Sequence, residues 1–252
     1  MDDIKTHVAC IFFDLGNTLI YFSGNWKEVI EGAARELVKV LLVNKYELDP
    51  SRFAAEFIDR LQRYYLERDI NYKEISTVKL LQDLLFDSGY PKVPMQDINI
   101  AVETFYRITE QYWEPEKETI PLLKALKENN ITLAIISNAS NIPNVNRLIK
   151  KANIKDYFEK VFISAAYGIR KPHPQIFQIA LDAFELTPQK CLMVGDTISA
   201  DIYGSNQIGM RNIWVTRRVT NYKNQNLDIK QKPTYCVESL SEIIGIIDQI
   251  NY

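Results

Sequence analysis

The chain has 252 residues, of which 46% are hydrophobic and 25% are charged. These proportions are ordinary for a globular protein that folds in water and buries a sizeable core. The formal net charge of −2 gives no electrostatic reason to expect nucleic acid or an anionic membrane as a partner, because binding to either depends on an excess of basic side chains.

Cysteine use and the amino-terminal residues favour the cytoplasm. The three cysteines, Cys10, Cys191 and Cys236, are odd in number and widely spaced. Cys10 and Cys191 lie inside apolar runs, which is typical of buried thiols. Residues 1–6 are polar and lack the layout of a signal peptide, and no apolar run approaches the roughly 20 residues that cross a bilayer. We therefore expect a cytoplasmic monomer or homodimer with no membrane partner.

The first predicted element is a strand over residues 8–13, a short and continuous apolar run that ends at Asp14. Such a run is typical of a strand buried on both faces of a parallel sheet. Residues from about 22 to 115 differ, because their apolar side chains recur at helical spacing and no convincing strand is present. The predicted helices cover residues 26–42, 51–68, 78–88 and 97–113. This segment is too long and too apolar for a linker, so we interpret it as a helical insertion.

Aromatic side chains are frequent in the helical insertion and recur at helical spacings. They are Phe53, Phe57, Tyr64, Tyr65, Phe105, Tyr106, Tyr112 and Trp113. We expect most of them to form the core of the insertion itself, since an amphipathic helix buries its apolar face. The alternative is that some of them line a substrate pocket or a contact between two subunits.

After the insertion, predicted strands and helices alternate with short connections. The strands cover residues 131–136, 161–164, 190–194, 212–216 and 235–237, and the helices cover residues 120–129, 144–152, 174–184, 200–208 and the carboxyl terminus. Residues 219–233 are polar and predict a surface loop. The alternation predicts an α/β fold, in which helices flank a parallel sheet and ligands bind at the carboxyl ends of the strands.

Polar side chains follow the predicted strands at those carboxyl ends. They are Asp14 with Thr18, Ser137 with Asn138, Lys171, and Asp196 with Asp201. An aspartate can attack phosphorus and form an acyl phosphate, which divides hydrolysis into two easier steps. Phosphoryl transfer also requires neutralisation of charge, which Mg²⁺ held by carboxylates, a lysine and a hydroxyl can supply. Each residue type alone is more often a turn former, a helix cap or a solvated charge, whereas the whole set indicates phosphoryl transfer.

These residues lie in four segments that resemble the motifs of the haloacid dehalogenase-like hydrolases. Residues 13–19 (Phe-Asp-Leu-Gly-Asn-Thr-Leu) are similar to the first motif, usually Asp-x-Asp-Gly-Thr-Leu, and residues 137–138 (Ser-Asn) resemble the second. Residues 168–177 contain the Lys-Pro-x-Pro form of the third motif. Residues 195–196 (Gly-Asp), with Asp201 five positions after the aspartate, resemble the fourth. The segments occur in the order that the family shows.

The resemblance covers about residues 8–20 and 117–216, and it implies a Rossmann-like α/β core. That core would comprise residues 1–21 and 116–252. Residues 22–115 fall where the family carries its helical C1 cap domain, which would close over the site and select a small substrate.

The resemblance also implies a role for each matching residue. Asp14 would be the nucleophile, and the Mg²⁺ ligands would be the carboxylates of Asp14 and Asp196 and the backbone carbonyl of Gly16. The residues that would bind the phosphoryl group are Thr18, Ser137, Asn138 and Lys171. Lys171 would also neutralise charge and hold Asp14, and Asp201 would orient Lys171 or a metal-bound water.

On this basis we expect Mg²⁺-dependent hydrolysis of a small phosphorylated metabolite through an aspartyl phosphate on Asp14. One position departs from the family's pattern, because the phosphatases usually carry an aspartate as general acid and base where this chain has Gly16. General acid–base catalysis is typically worth about 10²–10⁴-fold, so we expect weakened turnover and a burst of product from esters with good leaving groups, such as aryl or acyl phosphates. The substitution Gly16→Asp should raise turnover if the pocket has room.

Gly16 leaves two alternatives open. The chain could be a phosphate-binding or regulatory protein with little turnover. It could also be a 2-haloacid dehalogenase, which attacks carbon without a metal. The dehalogenases carry an aromatic residue at the position of Gly16 and Ser-Asn at residues 195–196, and two carboxylates beside the nucleophile would repel an anionic substrate unless a cation lay between them.

Overall fold

The structure, a computed structural model, describes residues 7–219 and 228–251. The polar residues 1–6 and residues 220–227 of the predicted surface loop lie outside the described residues. In chain order the strands are β1 (Cys10–Phe13), β2 (Ile20–Phe22), β3 (Trp113–Pro115), β4 (Thr132–Ser137), β5 (Lys160–Ile163), β6 (Cys191–Gly195), β7 (Arg211–Val215) and β8 (Tyr235–Val237). The helices are α1 (Trp26–Val43), α2 (Pro50–Asn71), α3 (Thr77–Asp87), α4 (Met95–Thr109), α5 (Thr119–Glu128), α6 (Ile142–Lys151), α7 (Pro174–Asp182), α8 (Tyr203–Gln207) and α9 (Ile243–Asn251). None of these helices is long and apolar enough to cross a bilayer.

Strand β1 lies inside a parallel sheet whose six strands, within the described residues, have the order β5-β4-β1-β6-β7-β8. It pairs in register with both neighbours, so that Phe13 lies opposite Ile135 of β4 and Val194 of β6. Because the strands point the same way, the polar residues that follow them meet at one edge of the sheet. The structure confirms the predicted α/β class with a parallel sheet flanked by helices.

Alternate side chains of β1 enter apolar cores on opposite faces of the sheet. Ile11 and Phe13 pack in the core that includes side chains of α5, α6 and α9, whereas Cys10 and Phe12 pack with those of α7. All four are buried, which explains why the sequence shows an unbroken apolar run instead of alternation. Helices on both faces thus hold the strand that ends at Asp14.

Helices α1 to α4 surround a third apolar core of their own. The first three of them begin at a side chain that accepts a backbone N–H of the first turn and so satisfies a free donor there: Asn25, Asp49 and Ser76. Most of the predicted aromatic side chains join this core, either buried or packed at its edge: Phe53, Phe57, Tyr64, Tyr65, Phe105 and Tyr106. The residue limits 22–115 for a cap domain stay a prediction.

The expectation of no strand in the insertion is wrong at its end. Strands β2 and β3 flank the helical insertion and form an antiparallel pair in which Phe22 lies opposite Trp113. Each has only three residues, too few for an alternating pattern to be visible in the sequence. Consequently Tyr112 and Trp113 do not join the insertion's core, and Trp113 packs against the core of the large sheet.

Candidate active site

Lys171 lies where the loops that follow the strands converge. Its Nζ lies 2.7 Å from Asp14 Oδ1 and 2.7 Å from Asp201 Oδ1, and it donates to the carbonyl oxygen of Ile136 at 2.6 Å. Lys171 is only 2% exposed. Burial acts to lower its pKa, but the carboxylates of Asp14 and Asp201 outweigh burial and leave the pKa raised. Lys171 is therefore a fixed positive charge beside the predicted nucleophile.

Asn138 holds the backbone of Lys171 in place. Its Nδ2 donates to the Lys171 carbonyl oxygen at 2.9 Å, and its Oδ1 accepts from the Lys171 N–H at 2.8 Å. This reciprocal pair ties the loop of the third motif to that of the second. The side chain of Asn138 thus positions Lys171, and its direct contact with a phosphoryl group stays a prediction.

Asp14, Asp196 and Asp201 form a carboxylate cluster, with one oxygen of each within 4.8 Å of the others. Burial, with the negative charges of Asp14 and Asp201, raises the pKa of Asp196 to about 8. Burial also raises the pKa of Asp201 to about 6, although Lys171 opposes this shift. The cluster places three carboxylates near one ammonium group, that of Lys171, and it offers only oxygen atoms as metal ligands. Such a donor set fits a hard divalent cation such as Mg²⁺.

Local structure after β6 explains the Gly-Asp pair of the fourth motif. A Cβ on Gly195 would lie 2.2 Å from Asp201 Oδ2, so any side chain there would displace that carboxylate. A turn of π-helix, Ile198–Ile202, directs Asp201 back toward the strand, and its Oδ2 accepts from the N–H of Thr197 at 3.0 Å. Both oxygens of Asp201 are thus engaged with protein groups, an arrangement suited to orienting Lys171.

Thr18 carries a buried hydroxyl for which the described part of the chain supplies no hydrogen-bond partner. The residue is 1% exposed, and an unsatisfied buried polar group typically costs about 1–3 kcal/mol. A bound ligand would remove that cost. Ser137, also buried, ends β4 at the same edge of the sheet. These positions suit the roles in phosphoryl binding that the sequence predicts for both hydroxyls.

An aromatic ring covers Gly16, the position where the family's phosphatases carry their second aspartate. A Cβ on Gly16 would lie 3.3 Å from Cη2 and 3.5 Å from Cζ3 of Trp113. In the sequence, Trp113 is one of the aromatic residues expected mostly in the insertion's core, with a substrate pocket as the alternative. The pairing of β2 with β3 brings it here, and two three-residue strands far apart in the chain leave no local signal.

Glu74 is a second residue near the site that no pattern in the sequence indicates. Its buried carboxylate accepts hydrogen bonds from the hydroxyls of Tyr64, Ser140 at 2.7 Å and Ser164 at 2.7 Å. Arg170 Nη1 lies 3.8 Å from it. Glu74 thereby ties the helical insertion to the loops of the second and third motifs. A single glutamate without a motif gives no signal in the sequence that it will be buried.

Backbone hydrogen bonds reinforce this contact between the insertion and the core. The N–H of Glu74 donates to Gly168 O at 3.0 Å, and the N–H of Arg170 donates to Tyr72 O at 3.1 Å. The N–H of Thr77 donates to Ser140 O at 3.1 Å. We call residues 72–77 and their partners the Glu74 joint. The joint fixes the peptide that immediately precedes Lys171.

Comparisons with known proteins identify one family for most of the chain. The model of the haloacid dehalogenase-like hydrolases matches residues 8–209. The chain is 33% identical over 244 residues to the glyceraldehyde 3-phosphate phosphatase of Pyrococcus furiosus, with 97% of this chain and 95% of that protein covered. It is 31% identical over 235 residues to the pyrimidine 5'-nucleotidase YjjG of Escherichia coli, with 92% and 95% covered. The two relatives are named for different substrates.

A solved structure shows the same fold. The crystal structure of a 2-haloacid dehalogenase from Pseudomonas syringae superposes on 96% of this chain and 99% of its own, with a TM-score of 0.68 and 22% sequence identity. At that identity the likeness concerns the fold alone.

Proposed function

The chain belongs to the haloacid dehalogenase-like hydrolases and acts on phosphate esters, and from this premise we propose that it hydrolyses a small phosphomonoester through a phosphorylated Asp14 with the help of Mg²⁺. The observation that carries the proposal is the contact of Lys171 Nζ with Asp14 at 2.7 Å inside the carboxylate cluster. A buried ammonium held there can orient the nucleophile and stabilise negative charge on a phosphoryl group.

In the first step a carboxylate oxygen of Asp14 attacks phosphorus. The bond from phosphorus to the leaving-group oxygen breaks, and its electron pair departs with that oxygen, which takes a proton from solvent. In the second step a water oxygen attacks phosphorus and the bond to Asp14 breaks. One proton of the water stays on the released phosphate, and the other returns to solvent. Lys171 offsets the phosphoryl charge, and the hydroxyls of Thr18 and Ser137 bind phosphoryl oxygens.

The ligands of Mg²⁺ would be carboxylate oxygens of Asp14 and Asp196 and the carbonyl oxygen of Gly16. When bound, the cation neutralises charge that would otherwise keep a phosphate ester away from the cluster. The excess of carboxylates over ammonium groups supports this assignment. Asp201 serves Lys171 in this scheme, since its oxygens contact Lys171 and the backbone of Thr197.

We propose that the substrate is a small phosphorylated metabolite. We also propose that the protein is a monomer or homodimer in the cytoplasm. The names of the two relatives make glyceraldehyde 3-phosphate and a pyrimidine nucleotide the first esters to examine. The cysteines support the location, since Cys10, Cys191 and Cys236 are free thiols although Cys10 lies opposite Cys191 in the sheet, and disulfides are rare in the cytosol.

Two other functions make different predictions. Gly16, covered by Trp113, supports a protein that is phosphorylated and then releases phosphate slowly, as a binding or regulatory protein would. A 2-haloacid dehalogenase is disfavoured by Asp196 and Asp201, whose carboxylates lie beside Asp14 and would repel a haloacid. Release of chloride from 2-chloropropionate without metal would support the dehalogenase function instead.

The test is release of inorganic phosphate from both of these esters and a wider set, with Mg²⁺ and with a chelator. The variant Asp14→Asn should lose activity, whereas Asp156→Asn, an exposed aspartate, serves as the matched control. Phosphate release that persists in Asp14→Asn, or that needs no metal, contradicts the proposed mechanism. A stable phosphoenzyme without release supports the binding protein.

A further inference from the structure

Trp113 takes the space that a side chain at residue 16 would need. Its indole edge lies over Gly16, where an added Cβ would approach Cη2 to 3.3 Å. The ring is half-buried against the core of the sheet, and the Trp113 carbonyl accepts a hydrogen bond from Lys151 Nζ at 2.7 Å. A large apolar surface therefore lies beside the nucleophile's loop, where the family's phosphatases carry a carboxylate.

The apolar surface continues away from Gly16 through two further aromatic rings. The Phe22 ring packs edge to face on Trp113 with centroids 5.5 Å apart, and on Trp26 with centroids 4.9 Å apart. Trp26 is 47% exposed, and with Ile30, Leu61 and Tyr65 it lines a cavity of about 270 Å³ between α1 and α2. We call Trp113, Phe22 and Trp26 the aromatic wall.

Gly16 carries no carboxyl group that could act as a general acid, and this restricts which leaving groups can depart. When the P–O bond breaks, the leaving oxygen takes the electron pair and becomes an anion unless a proton is delivered. An alkoxide, like hydroxide, has a conjugate acid near pKa ~16, so its departure depends on a general acid. A phenolate has a conjugate acid near pKa ~10 and can depart without a proton, which is then taken from solvent.

We propose that Trp113 is a specificity-determining residue and that the aromatic wall binds a planar apolar leaving group, so that the preferred substrates are aryl phosphate monoesters. The inference rests on the proposed function and narrows its substrate class. Two separate observations lead to the same chemistry: the rings offer stacking to an aromatic group, and Gly16 supplies no acid to protonate an alkoxide.

The experiment compares kcat/KM for phenyl phosphate with kcat/KM for glyceraldehyde 3-phosphate, an alkyl ester of similar size. The intact protein should prefer the aryl ester. Trp113→Leu, which removes the ring but keeps apolar bulk, should lower the aryl-to-alkyl ratio by about tenfold, the upper range for an aromatic contact. Trp113→Phe should restore most of the ratio. Phe86→Leu changes an exposed aromatic residue and should leave the ratio unchanged.

The outcomes separate this inference from the proposed function. An aryl-to-alkyl ratio below one, or a ratio that Trp113→Leu leaves unchanged, overturns the inference while Asp14-dependent hydrolysis stands. Hydrolysis of no ester, or equal hydrolysis by Asp14→Asn, overturns the proposed function itself. If Trp113→Leu does not fold, Phe22→Leu removes the ring that supports Trp113, and it should move the same ratio in the same direction by a smaller factor.

Discussion

Two of the contacts between the helical insertion and the α/β core differ in chemistry. At the Glu74 joint the contact is buried and polar, with one carboxylate accepting from several hydroxyls. Beside Gly16 the contact is apolar, made by the rings of Trp113 and Phe22. The first contact holds the loops that carry Asn138 and Lys171, and the second lies where we place the leaving group.

Because the two contacts differ in this way, we expect the polar contact to preserve the chemistry of the site and the apolar contact to set the choice of substrate. Hydrogen bonds are directional, and each acceptor that is lost at the Glu74 joint leaves a buried donor without a partner. Apolar contacts are non-directional and tolerate substitution of similar volume. We therefore expect changes at the Glu74 joint to impair the whole molecule and changes in the aromatic wall to alter substrate choice.

The largest effect should follow Glu74→Ala. Removal of the carboxylate leaves Arg170 and the hydroxyls of Ser140 and Ser164 buried without their partner. Breaking a buried charge pair typically lowers the free energy of unfolding by about 3–5 kcal/mol. Urea denaturation measures the loss, with Glu67→Ala, an exposed glutamate of α2, as control. Equal stability of the two variants would show that the joint contributes nothing.

The next effect tests the space beside Gly16. Gly16→Asp alone must push the Trp113 ring aside, since the Cβ would already lie 3.3 Å from it, so we expect little gain on an alkyl ester. Gly16→Asp combined with Trp113→Ala should gain about 10²-fold in kcat, the lower range for general acid–base catalysis. The comparison with Trp113→Ala alone isolates the carboxylate. A single variant as active as the double one would show that the ring is no obstacle.

Metal binding should raise stability without involving either contact of the insertion. At a Mg²⁺ concentration of about 100 times its dissociation constant, the free energy of unfolding should increase by about 2.7 kcal/mol. Thermal unfolding with Mg²⁺ and with a chelator measures the shift. Asp196→Asn should abolish the shift, whereas Asp156→Asn should retain it. A shift that survives in Asp196→Asn would remove that residue from the ligand set.

The smallest effect on stability should follow Phe22→Leu. The ring makes edge-to-face contacts with Trp113 and Trp26, and an aromatic pair contributes about 0.5–1.5 kcal/mol beyond its buried area. We expect a loss of about 1 kcal/mol in the same urea experiment, well below that for Glu74→Ala. A loss as large as that of Glu74→Ala would remove the distinction between the two contacts.

The α/β class was predictable because strands buried on both faces leave unbroken apolar runs, and the site because its residues follow those runs. Asp14, Lys171, Asp196 and Asp201 come from three of the four strand-end segments and lie together at the predicted edge of the sheet. Asn138 of the remaining segment binds the backbone of Lys171. Glu74 and Trp113 were not predictable, since each acquires its role from a contact with a segment distant in the chain. No periodicity of helix or strand records such a contact.

Lys171 also has a consequence for the entropy of the reaction. Its ammonium is surrounded by Asp14, Asp201 and the carbonyl of Ile136, at 2.6–2.7 Å, and its backbone is bound at both ends by Asn138. Asp14, the nucleophile that we propose, is anchored to this immobile group and would have lost its rotational freedom before the ester arrives. Little further ordering is then needed to reach the transition state, which is how correct placement accelerates a reaction.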